Sequence, residues 1–304
     1  MLVIVVLAVL LDLLLGEPAN RWHPVAWMGR ALSRTRRGAH GRQPAALVAL
    51  GAVAPVGLAL LAAVVAWAVL NTAGVLGWPG VLLEAWLLKC TFSLRGLVET
   101  AREVKSALAA GAVEEARRRV GWHLVSRPTE ALSPGHVASA TVESVAENLT
   151  DSVVAPIFFY LLGGLPAAWT YRVVNTADAM WGYREGELEH LGKAAARLDD
   201  VLNWIPARVS GFAIVLGALV VGQSGSNAWR TMWREHGRTA SPNAGWTMAA
   251  MAGALGVTLE KPGAYRLGTG DLPAAATIGR ALRVMVGASG LVITAALAFA
   301  GLGR

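Results

Sequence analysis

Charge is scarce in this 304-residue chain, where only 15% of residues are Asp, Glu, Lys or Arg against 55% hydrophobic, at a mean hydropathy of +0.48. That balance excludes an ordinary soluble enzyme. A single cysteine, Cys90, excludes an intramolecular disulfide and sits in an apolar stretch, where it reads as inert packing. Only Lys89, Lys105, Lys193 and Lys261 are lysines, so the net charge of +7 is carried by arginine. No basic motif or aromatic platform accompanies that charge, which argues against nucleic acid as a partner. The six histidines show no H-x-x-H or H-E-x-x-H spacing, so a zinc site is not expected. P-loop, dinucleotide-binding, kinase and G-x-S-x-G signatures are all missing.

The apolar residues are gathered into uncharged runs at 43–83, 152–171, 209–229 and 284–303, each long enough to supply spanning helices of roughly 20 residues. Residues 1–15 could add another. The expectation is an all-α integral membrane protein, a polytopic helical bundle of about five to six membrane segments in one domain over 1–304, with amphipathic and interfacial helices. The first loop holds Arg21, Arg30, Arg34, Arg36, Arg37 and Arg42, whereas the turn near 71–80 is uncharged. The positive-inside bias puts that loop in the cytoplasm and the turn outside. Residues 225–283 carry seven Lys or Arg and should also be cytoplasmic, so single passes at 152–171 and 209–229 would leave 172–208 outside. A re-entrant or broken helix would resolve that conflict.

Against this background ESVAENLTD (143–151) stands at the mouth of an apolar run. On a helix Glu143, Glu147 and Asp151 fall at i, i+4 and i+8, with Asn148 beside them, so three carboxylates share one face. Like charges so close call for a cation, and ionisable groups at a membrane edge are functional suspects. Ser133–Pro134 reads as the N-terminus of the helix bearing that face, with a kink expected at Pro156. Within 171–211, Arg172, Asn175 and Asp178 recur every third residue, and Asp199 and Asn203 are four apart. Ser241–Pro242 starts a further helix whose small residues permit close packing. Carboxylates suit Mg²⁺, while Arg172, Lys193, Arg197 and Arg208 suit phosphate oxygens, a pairing that phosphoryl chemistry needs.

Taken in order, DLLLGEPANRWHPVAWMGR (12–30), ESVAENLTDSVVAPIFFYLLGG (143–164), RVVNTADAMWGYR (172–184), GKAAARLDDVLNWIPAR (192–208) and SPNAGWTMAAMAGALGV (241–257) resemble the cobinamide-phosphate synthase family of cobalamin biosynthesis. The resemblance covers nearly the whole chain. It implies a multi-pass inner-membrane enzyme, its site reached from the cytoplasm, that uses ATP to join (R)-1-amino-2-propanol, or its O-phosphate, to adenosylcobyric acid. It also implies Mg²⁺, and leaves room for a homo-oligomer or a complex with other membrane enzymes of cobalamin assembly. Under that resemblance Glu143, Glu147, Asp178, Asp199 and Asp200 are expected to do metal or base work, with Glu147, Asp178 and Asp199 as Mg²⁺ ligands. Asn148, Asn175, Asn203 and Asn243 would orient amide and phosphate groups, Lys193, Arg197 and Arg208 would bind phosphate, and His23 would contact substrate or shape a turn. The alternative is a non-catalytic membrane sensor or regulator of the same architecture.

Overall fold

A computed structural model describes residues 1–125 and 127–302. The chain runs through helices α1 (Leu2–Leu15), α2 (Pro24–Ala39), α3 (Pro44–Val75), α4 (Trp78–Lys89), α5 (Leu94–Ala109), α6 (Val113–His123) and α7 (Pro134–Leu149). After one π-helical turn (Thr150–Val154) come α8 (Ala155–Trp181), α9 (Leu188–Leu191), α10 (Lys193–Leu202), α11 (Trp204–Val220), α12 (Gly225–Glu235) and α13 (Ala244–Leu255). An antiparallel hairpin, β1 (Thr258–Lys261) and β2 (Tyr265–Gly268), precedes the last helix, α14 (Ala275–Leu302).

Two compact units share the chain: residues 1–93, 155–203 and 296–304 form the first, and 94–154 and 204–295 the second. In the first, α3 packs along α8 and α1 along α4. Val5, Ala8, Ala59, Ala66, Leu88, Tyr160 and Trp169 make one core, and Leu32, Leu47, Ala177, Trp181 and Leu191 a second. In the second unit α13 is buried along its whole length, flanked by α11, α12 and α7. Small residues make that possible, as the 241–257 pattern predicts. A Cβ on Gly253 would strike the Asn227 carbonyl, and one on Gly217 would strike the α14 backbone at Val284 and Ala288.

Among the described residues, three helical stretches are long and apolar enough to cross a bilayer: Pro44–Val75, Pro134–Trp181 and Ala275–Leu302. The pair α10 and α11, bent by 52°, would make a fourth if counted as one span. Three or four such segments are fewer than the expected count of about five to six. Helix α1 is apolar but short. On α3, Val53, Leu60, Leu61, Val64 and Trp67 are exposed, as a lipid-facing wall requires.

The kink expected at Pro156 is replaced by two breaks. The π-helical turn ends just before it, where a proline lacking its N–H loosens the preceding hydrogen bonds. The second break lies at Gly163–Gly164, where Gly164 takes φ 65°, ψ −159°, a conformation open essentially to glycine alone. Pro166 then opens the helix that carries Arg172, Asn175 and Asp178. The β-hairpin is a second departure from the all-α expectation. Its three-residue connection holds Pro262 and Gly263 (φ 75°), and Leu259 and Leu267 face the interior.

Candidate functional site

In the first unit the bent α8 brings its polar face against α10. Asp199 is gripped from both sides: Asn175 Nδ2 donates to Oδ1 at 3.2 Å and Asn203 Nδ2 to Oδ2 at 2.9 Å. The Tyr171 hydroxyl donates to Asn203 Oδ1 at 3.1 Å, and the Arg172 guanidinium to Asn175 Oδ1 at 3.1 Å. Phe159 stacks on Tyr171 with ring centroids 5.0 Å apart. Each amide is therefore fixed at its oxygen so that its NH₂ faces the carboxylate, which orients Asp199. Asp178 lies within electrostatic range of Asp199 and Asp200. The sequence periods of three and four thus do gather Asn175, Asp178, Asp199, Asp200 and Asn203. Lys193 and Arg197 lie exposed one turn apart on the same α10.

A second polar group in this unit is one that spacing did not reveal. Lys89 is fully buried and donates to Glu17 Oε1 at 2.8 Å, with Asp12, also buried, 3.6 Å away. The other Glu17 oxygen meets His23 Nε2 at 2.7 Å, while His23 Nδ1 caps α2 by accepting from the Val25 amide. Burial raises the Glu17 pKa, but the hydrogen bonds from His23 and Lys89 outweigh it and hold the carboxyl down at about 2. His23 accordingly shapes the turn. The signal available in the sequence was a lone Asp in one apolar run and a lone Lys in another, charges that low-dielectric surroundings force into partnership.

In the second unit the three carboxylates of 143–151 have separate environments. Glu143 is buried, accepting from Ser139 Oγ at Oε1 and the Tyr265 hydroxyl at Oε2, both at 2.7 Å. Ser139 Oγ in turn accepts from the Glu260 amide. Glu147, one turn on, is exposed, and Asp151 falls in the π-helical turn, which takes it off the face that a regular helix would share. Asn148 donates back to Ser144 on its own helix. Burial, then the charges of Glu143 and Glu147, raise the pKa of Tyr265, so the phenol stays protonated. Arg208 donates to Asn243 Oδ1 at 3.1 Å, its guanidinium 4.3 Å from the Trp204 ring centroid and 4.9 Å from that of Trp246.

Of the residues proposed as Mg²⁺ ligands, Asp178 and Asp199 belong to the first unit and Glu147 to the second. Among the described residues no three His, Cys, Asp or Glu side chains form a ready metal cage. Mg²⁺ that arrives with a nucleotide needs only one or two protein carboxylates, and the Asp178, Asp199 and Asp200 group offers that hard-oxygen donor set.

These features define an α-helical membrane protein with clustered acids, carboxamides and arginines, and comparison with known proteins makes the class specific. A family profile described as CobD/Cbib protein matches residues 5–286. The chain belongs to that family. It is 44% identical over 266 residues to a probable cobalamin biosynthesis protein CobD of Methanothermobacter thermautotrophicus, covering 87% of this chain and 86% of the relative. Identity to the cobalamin biosynthesis protein CobD of Dehalococcoides mccartyi is 42% over 268 residues, 88% and 86% of the two chains. With the cobalamin biosynthesis protein CbiB of Salmonella typhimurium it is 38% over 262 residues, 85% and 82%. No solved structure matches the chain.

Proposed function

We propose that this protein is the amide ligase of corrinoid side-chain assembly, joining (R)-1-amino-2-propanol or its O-phosphate to a propionate carboxylate of adenosylcobyric acid at the expense of ATP. Its family and the names of its relatives place it in cobalamin biosynthesis. The observation that carries the finer reading is the Asp199 cluster, in which Asn175 and Asn203 fix one carboxylate beside two others at the edge of an apolar protein.

A carboxylate and an ammonium do not condense at neutral pH. Transfer of the γ-phosphoryl group of ATP to the carboxylate oxygen, with release of ADP, gives an acyl phosphate. The free amine then attacks its carbonyl carbon, and the tetrahedral adduct collapses by expelling phosphate. Asp178 and Asp199 would hold Mg²⁺, which supplies charge neutralisation at the nucleotide phosphates. A carboxylate left free of that duty, Asp200 or, in the second unit, Glu147, is suited to take the proton from the ammonium. Arg208, steadied by its stack on two indoles and by Asn243, and the exposed Lys193 and Arg197 would neutralise phosphate oxygens.

The test is direct: purified protein in detergent or nanodiscs is given MgATP, adenosylcobyric acid and either amine. One ADP and one phosphate per amide formed is the expected result. No amide with either amine, under conditions where the corrinoid and nucleotide bind, would reject the proposal. The ratio of rates with the two amines reports whether the O-phosphate is the true substrate.

A further inference from the structure

We propose that Arg127 is an oxyanion-binding residue: its guanidinium takes up a phosphoryl group or a carboxylate of the substrates through Nε and Nη2, while Glu143 balances its charge without using those N–H groups. Both nitrogens are buried and have no hydrogen-bond partner among the described residues. An arginine cannot shed its proton to escape that situation, and a buried N–H left without an acceptor costs on the order of 1–3 kcal/mol or more when charged. The neighbouring Glu143 does not satisfy it. Its Oε2 lies 3.6 Å from Nη2, too far for a hydrogen bond, and its oxygens already accept from Ser139 and Tyr265. Glu143 is thus turned away to two hydroxyls, and Arg127 keeps two parallel donors, the fork that carboxylates and phosphates accept bidentately.

The chain around Arg127 is built to hold it there. Arg117 Nε donates to the Leu132 carbonyl, Thr129 Oγ1 to that of Arg117, and Ser144 Oγ to that of Leu124, so the loop is tied to α6 and α7 on both sides of Arg127. Pro128 restricts Arg127 to extended backbone. A loop fastened by three side chains, beside a carboxylate held by two hydroxyls, yet leaving a guanidinium fork unsatisfied, is the pattern of a site organised before its ligand arrives. Which substrate supplies the oxyanion rests on the proposed function; the anion site itself does not.

The experiment titrates MgATP, adenosylcobyric acid and pyrophosphate into the purified full-length protein by calorimetry, for the wild type, Arg127→Lys and Arg127→Ala. Wild-type protein should bind at least one of the three saturably. Arg127→Lys, which keeps the charge but loses the fork, should weaken that ligand about 10- to 100-fold, with melting temperature and elution volume little changed. Millimolar guanidinium should restore part of the affinity of Arg127→Ala, an effect that a purely structural arginine would not show. Loss for MgATP and pyrophosphate assigns a phosphate; loss for adenosylcobyric acid alone assigns the carboxylate. Wild-type affinity for all three ligands in a folded Arg127→Lys protein, or no binding of any by the wild type, overturns the proposal. Should Arg127→Ala fail to fold, Arg127→Lys decides alone. Intact anion binding in a protein that forms no amide would retire the proposed reaction and leave the Arg127 assignment standing.

Discussion

Substituting Glu147 and Glu143 separates chemistry from architecture, because the two lie one helical turn apart with opposite exposure. Glu147→Gln keeps volume on an exposed surface, where stability changes are within about 0.5 kcal/mol. Turnover should nonetheless fall by about 10²-fold or more if Glu147 takes the proton. A folded, membrane-inserted Glu147→Gln protein making amide at the wild-type rate would remove it from the site. Glu143→Ala strands Ser139 and Tyr265 without their acceptor and leaves the Arg127 charge without its counter-ion, and should destabilise by about 3 kcal/mol or more in detergent unfolding assays. Glu17 offers a pH test. Its folded pKa of about 2 lies below the ordinary glutamate value of 4.5, so its contribution to stability is complete above pH ~4.5 and is lost as pH falls toward 2. Glu17→Gln should therefore flatten the fall in melting temperature across that window while leaving the neutral-pH slope unchanged. An identical acid limb in the variant would show that the ion pairs with Lys89 and His23 do not contribute.

At the scale of elements, the break in α8 is the feature on which the Asp199 cluster depends. Gly164→Ala forces a Cβ into φ 65°, ψ −159° and should cost about 1–3 kcal/mol, with a larger loss of activity than of stability, since the α8 segment after the break presents Asn175. Unchanged melting and turnover would show that the segment tolerates a regular helix. The sequence made the helices and the polar periods readable because the spacing of polar residues within 171–211 is set by the side chains themselves. What it concealed is instructive in the same terms. Asp151 looked coplanar with Glu143 and Glu147 only if the helix stayed regular, and the π-helical turn depends on how Pro156 is accommodated. The hairpin has its own signature in TLEKPGAYRLG, a Pro-Gly turn between two short runs, but no apolar period of helical or membrane length marks it. Arg127 gave no periodic signal at all, since it owes its place to a loop pinned from two helices.

For the whole molecule, the expected cytoplasmic access of residues 172–208 is open to labelling. Exposed Glu185 suits a reporter thiol, since its neighbour Gly186, not Glu185, takes the positive φ of 53° that disfavours a side chain. In a Cys90→Ala background, Glu185→Cys should react with an impermeant maleimide in inverted vesicles and be spared in right-side-out ones. The reverse pattern with activity retained would place Lys193 and Arg197 away from the nucleotide supply and favour the simple single-pass crossing count.

The ion pairs of Lys89 also set a schedule for biogenesis. Asp12 and Glu17 leave the ribosome before Lys89, which follows Glu17 by 72 residues, and at about 5–20 residues per second that is a wait of roughly 4–14 s. Through that interval α1 carries an acid into an apolar environment before its cation has been made, at a cost of about 2.5–3.5 kcal/mol if the aspartate reaches mid-bilayer. Stable integration of α1 should therefore await α4, so that α1 settles later than its place in the chain suggests, and a ribosome stalled between the two should leave an α1 that carbonate still extracts.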